Sequence, residues 1–198
     1  MSMKMDHDFI VIDLEATADY DADGNKVHND IIQIGAVLLD RDLNEIISFD
    51  SLVRSTEKIT PFITKLTGIT DDQAVNAPTF IDVIKSFNDK ILSKVVSVRN
   101  VHLCAWGTYF DIPLLRKAYI KHKLQYPFTG TALDIKTLAM LWMHLAGYKT
   151  NKLSVRRVAK VMNIMPDGNL HNALVDARVE AKIMRKIFYD IDDKIQPI

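Results

Sequence analysis

FIVIDLEATADYD, residues 9–21, starts as a strand suited to the middle of a sheet and ends with two carboxylates, Asp13 and Glu15, at its tip. A short apolar run of this kind, bounded by polar turn residues, reads as a buried strand. Successive strand side chains point to opposite faces, so Asp13 and Glu15 share one face while Leu14 packs behind them. An isolated carboxylate withdrawn from water either neutralises or acquires a cation. Two converging acids at a buried strand end therefore raise the question of what compensates them.

Two further strands are predicted from IIQIGAVLLD (31–40) and EIISFDSLVR (45–54), which are rich in Ile and Val and separated by the turn-like DRDLN, so they should form a hairpin. DYDADGNKVHND (19–30) is polar, contains Asp-Gly and reads as an exposed loop. From Thr60 the pattern changes to short helical turns broken at Gly68, and a helix is predicted from Pro78 to about Leu92, with the proline just inside its start. VHLCAWG (101–107) reads as a fourth strand and TYFDIPLLRKAYIKHK (108–123) as a helix with Pro113 in its first turn. A short fifth strand is expected at 131–135. Helices follow in LAMLWMHLAG (138–147), LSVRRVAKVM (153–162) and NALVDARVEAKIMRKIFYDI (172–191). In the last, Leu174, Ala177, Ala181, Met184 and Phe188 recur at helical spacing and form an apolar stripe aimed at the sheet. DIDDKIQPI (190–198) reads as a frayed tail. Three consecutive strands followed by alternating strands and helices predict an α/β protein with one mixed five-stranded sheet flanked by helices.

The 198 residues fit one domain, and no repeat or linker divides them. Cys104, the single cysteine, excludes an intramolecular disulfide framework and sits in a strand-like context that makes it core. The start of the chain lacks a signal-peptide pattern and no apolar stretch is long enough to span a bilayer, so a cytoplasmic location without a membrane partner is expected. The 25 basic and 25 acidic residues cancel. A protein that holds long nucleic acid by its phosphates alone carries a basic excess, so a polyanionic partner must be gripped locally. The basic clusters at 116–123 and 148–160 read first as wet helix faces.

A third acid, Asp111, lies in YFDIPLL, where an N-cap role would explain it. GNLHNALVDARVEA then places His171 after a Gly-containing turn and Asp176 five residues later at the edge of the apolar stripe. Asp13, Glu15, Asp111 and Asp176 gathered in one place would repel each other unless cations filled the space, and hard oxygen ligands suit Mg²⁺ or Mn²⁺. Two such ions stabilise the attacking and leaving oxygens of a phosphodiester displacement. A neutral imidazole beside them is suited to accept the proton of an attacking water.

DLEAT (13–17), AWGTYFDIPLL (105–115) and HNALVDA (171–177) resemble, in this order, the three motifs of the DEDDh 3′-to-5′ exonucleases, over roughly residues 8–190. That family includes the proofreading subunits of replicases and exoribonucleases that trim small RNA ends; the phrasing AWGTYFD is most similar to the latter and to KapD-type proteins. The resemblance implies a ribonuclease-H-like fold, a single exonuclease domain over 1–198, Asp13, Glu15, Asp111 and Asp176 as metal ligands, His171 as general base, Glu15 as a catalytic residue besides its metal role, and two divalent ions, Mg²⁺ or Mn²⁺. It further implies that Thr17, Leu66 and Ile69 contact the terminal nucleotide, while Tyr109, Phe110 or Phe62 stack on a base. The expected substrate is a single-stranded 3′ end, RNA slightly ahead of DNA. A polymerase-bound proofreading subunit, a homodimer and a non-catalytic binding module on the same fold are the alternatives.

Overall fold

The computed structural model describes residues 7–17, 30–95 and 97–193. All of the expected loop at 19–30 except Asp30, and positions 194–198 of the expected tail, lie outside the described residues.

The first strand, β1 (Asp8–Ala16), alternates as its sequence requires. Ile10, Ile12 and Leu14 enter one apolar cluster, and Phe9 and Val11 the other. It pairs antiparallel with β2 (Ile31–Leu39), which pairs antiparallel with β3 (Glu45–Leu52) through the expected hairpin. On its other side β1 runs parallel to β4 (Val101–Ala105), and β4 runs parallel to the two-residue β5 (Leu133–Asp134). The resulting mixed sheet has the order β3-β2-β1-β4-β5. The fourth strand ends before Trp106 and Gly107, two residues short of the expected 101–107, and so releases both toward the sheet's carboxyl edge.

Helices cover both faces. After α1 (Pro61–Thr67), ended by Gly68 at φ 79°, and α2 (Asp71–Val75), comes α3 (Phe80–Lys90). Thr79 caps α3 by accepting from the Asp82 N–H, so Pro78 precedes the cap instead of opening the helix. With α4 (Asp111–Lys121), it packs against Ile10, Ile12 and Leu14. The opposite face carries α5 (Ile135–Leu145), α6 (Val155–Val161) and α7 (Ala173–Asp192), with Cys104 fully buried beneath them. The expected tail is thus still helical at positions 190–192. Among the described residues no helix is long and apolar enough to cross a membrane.

The meeting of β2 with α7 sets the architecture of the carboxyl edge. Gly35 lies opposite Asp13 in the β1–β2 register. A Cβ built at Gly35 would stand 2.1 Å from the Ala173 carbonyl carbon and 2.2 Å from the Leu174 nitrogen. Only a residue without a side chain lets the first turn of α7 press onto the sheet there. Two positions along β2, Gln33 is buried, accepts a hydrogen bond from the Ala173 N–H at 3.2 Å and donates to Asp50 at 2.8 Å, which pins the same turn.

Candidate active site

On the α7 side of β1, the order Phe9, Val11, Asp13, Glu15 changes from apolar to acidic where β1 passes under the amino end of α7. The seam made by Gly35 and Gln33 holds that end in place. The other acids then arrive from two helix starts. Asp111 is the first residue of α4 but makes no side-chain cap; its Oδ1 accepts from the backbone N–H of Leu14 at 3.1 Å, across the sheet edge. Asp176 lies in the first turn of α7, whose N-cap is Asn172, and its Oδ2 accepts from the backbone N–H of His171 at 2.8 Å.

His171 adopts φ 69°, a left-handed conformation uncommon for a non-glycine residue. That turn leaves the imidazole exposed beside the acids. Glu15, His171 and Asp176 each offer a ligand atom, all within 4.8 Å of one another. Asp13 and Asp111 join them around one cavity of about 560 Å³, a volume suited to a nucleotide-sized ligand.

The electrostatics of this cavity are those of crowded, desolvated acids. Burial first, then Asp176 and Asp111, push the Glu15 carboxyl up to about 8. Burial raises Asp111 to about 7 against the opposing hydrogen bond from Leu14. Asp13 stands well above the usual carboxylate range through burial and then through Glu180, Asp111, Glu15 and Asp176. Burial also raises Asp176, opposed by the His171 N–H and by nearby His171 and Arg156. Its Oδ1 is buried without a hydrogen-bond partner among the described residues. Acids in this state either bind protons or neutralise each other through cations. An all-oxygen donor set with an unsatisfied oxygen and an adjacent imidazole fits divalent metal ions.

The other expected contacts divide in two. Tyr109, 73% exposed, and Phe110 line the cavity, with Gly107 leaving room for the Tyr109 ring and Lys136 lying 5.7 Å from its centroid. Thr17, Leu66 and Ile69 do not line it. Thr17 is buried, its hydroxyl donating to Glu57 at 3.0 Å and accepting from the Asp30 N–H at 2.9 Å. Ile69 is buried in a small cluster with Ile59 and Ile63, while Leu66 is exposed on α1 together with Phe62.

Four residues of the site escaped the sequence reading. Gly35 and Gln33 sit in an apolar run, and only the pairing register reveals their partners. Arg156, which lines the cavity from the start of α6, reads in sequence as part of a basic cluster. Glu180 also lines the cavity, from α7. Its signal was present, since it stands four residues after Asp176 and next to Ala181 of the apolar stripe.

Residues 10–184 match the family model described as RNase_T, an exonuclease. The chain is 29% identical over 181 residues to the 3′-5′ exonuclease DinG of Staphylococcus epidermidis, covering 91% of this chain and 18% of that protein. The DinG of Staphylococcus aureus is 31% identical over 177 residues, covering 89% of this chain and 18% of that protein. The chain thus spans less than a fifth of the length of these curated relatives. Among solved structures, the nuclease domain of 3′hExo, a DEDDh family member solved bound to rAMP, superposes with a TM-score of 0.79 at 23% identity over 95% of both chains. At that identity the likeness is one of fold, the ribonuclease-H-like mixed sheet with its flanking helices.

Proposed function

The chain belongs to the exonuclease family matched at residues 10–184, and from that premise we propose that it hydrolyses phosphodiester bonds from the 3′ end of single-stranded nucleic acid and releases nucleoside 5′-monophosphates. The single observation that carries the reading is the convergence of Asp13, Glu15, Asp111, Asp176 and His171, from β1, α4, the approach to α7 and α7 itself, around one open cavity.

Asp13, Glu15, Asp111 and Asp176 would hold two divalent cations, Mg²⁺ or Mn²⁺, which when bound supply charge to the attacking and leaving oxygens of the displacement. His171 accepts the proton of the attacking water, and its backbone N–H keeps Asp176 oriented. Glu15, within 4.8 Å of His171, completes the pair that positions the proton transfer. Tyr109 and Phe110 offer aromatic faces to the terminal base, and Arg156 offers a cation to the backbone phosphate. A neutral chain suits a short end seized in a pocket better than a long duplex held by charge. RNA is placed slightly ahead of DNA, an order supported by the resemblance of AWGTYFD to small RNA-end exoribonucleases.

Incubation of matched 5′-labelled RNA and DNA oligonucleotides with the protein and Mg²⁺ tests the reading. A ladder that shortens from the 3′ end, vanishes in EDTA and is lost in His171→Ala is expected. An unshortened oligonucleotide in both series, or equal laddering by His171→Ala, overturns it. Strong DNA preference with co-purification of a polymerase would transfer the substrate assignment to proofreading.

A further inference from the structure

The motif acids leave one buried carboxylate without a role. Glu180 lies one turn beyond Asp176 on α7, is 1% exposed, and among the described residues has no hydrogen-bond partner for either oxygen. The Trp106 backbone N–H exerts a weak opposing pull on it without standing in hydrogen-bonding position. Of the two nearest basic residues along the helix, Arg178 is committed to Glu45 and Asp167 and Lys182 is exposed. The sequence neighbours of Glu180, Val179 and Ala181, are buried apolar residues, so packing alone would favour a leucine or methionine at this position. A buried acid with neither ion pair nor hydrogen bond is costly to the fold and calls for a ligand.

The surroundings identify that ligand. Glu180 lines the cavity that holds Asp13, Glu15, Asp111 and Asp176. After burial, it is the strongest of the charges acting on Asp13, ahead of the other three motif acids. Asp176 contributes a third unpartnered buried oxygen to the same cavity. We propose that Glu180 is a fifth acidic residue of the cation site, adding its charge to the four motif acids so that divalent cations bind more tightly than those four alone would hold them. This rests on the cation site of the proposed function. Glu180 acts as a positioning residue: it increases the field at the site and touches neither substrate nor nucleophile.

The test measures cation binding directly on the full chain stripped with chelator. Mn²⁺ titrated by calorimetry into wild type, Glu180→Gln and Glu180→Met, with melting temperatures recorded with and without Mn²⁺, is expected to show roughly tenfold or greater weakening in both variants, the scale of loss typical for residues just outside a metal's ligands. The Mn²⁺-induced rise in melting temperature should shrink in parallel, while in chelator both variants melt no lower than wild type. Wild type that binds Mn²⁺ and a Gln variant that binds it equally well overturn the fifth-acid role and leave the cation site standing. A wild type that binds no Mn²⁺ overturns both. Failure of both variants to fold overturns the proposal as well, because an unpartnered charge cannot be what the metal-free fold depends on.

Discussion

His171 joins two functions in one residue that substitution can separate. Its backbone, at φ 69°, orients Asp176 through the N–H, while its imidazole faces the cavity. His171→Ala keeps the first and removes the second, so kcat should fall by about 10²–10⁴-fold with the melting temperature nearly unchanged, as measured by single-turnover cleavage and thermal melts. Under the proposed function Arg156 bears on binding instead. Arg156→Gln should raise KM several-fold with a smaller effect on kcat, and should flatten the salt dependence of KM by about one phosphate contact's worth. At this scale the sequence was informative where chemistry repeats at a structural period. Asp13 and Glu15 were legible from the two-residue period of a strand, Asp176 from the helical stripe. Glu180 followed the same helical period, yet beside Lys182 and Arg185 an isolated Glu reads as a wet helix face. Its 1% exposure decides between the two readings.

The seam between β2 and α7 carries the site at the level of elements. Gly35→Ala would drive a methyl into the Ala173–Leu174 peptide, where backbone cannot yield as a flexible side chain does. A loss of about 1–3 kcal/mol or more is expected from such overpacking. Because the same turn positions His171 and Asp176, activity should fall further than stability, with amide exchange accelerated first at residues 171–177. Gln33→Leu leaves the Ala173 N–H buried and unpaired, costing about 1–3 kcal/mol, and urea melts should detect it. Element types and order were legible because each carries its own period and caps: Thr60, Thr70, Thr79, Ser154 and Asn172 all cap helices through their side chains. The position of α7 over Gly35 was not legible. It depends on register, which joins residues more than a hundred positions apart and leaves no local mark.

Across the whole molecule, the crowded acids link stability to pH. In the metal-free chain, the carboxyls of Glu15 and Asp111 are pushed up to about 8 and about 7, and Asp13, Asp176 and Glu180 are also raised. Between the ordinary carboxylate range and those values the folded chain binds more protons than the unfolded one, so stability falls as pH rises. Melts in chelator should therefore show declining stability from about pH 5 to pH 8, and Mn²⁺ should flatten or reverse that slope. A flat profile in chelator would contradict the burial of these acids. The order of the chain adds a temporal consequence. Ribosomal synthesis releases β1 with Asp13 and Glu15 early, whereas His171 and Asp176 emerge only after β4, α5 and α6 have left the exit tunnel. A growing polypeptide therefore carries three of the four motif acids, Asp13, Glu15 and Asp111, before the histidine, and under the proposed function the site is complete only when α7 closes over the second face of the sheet.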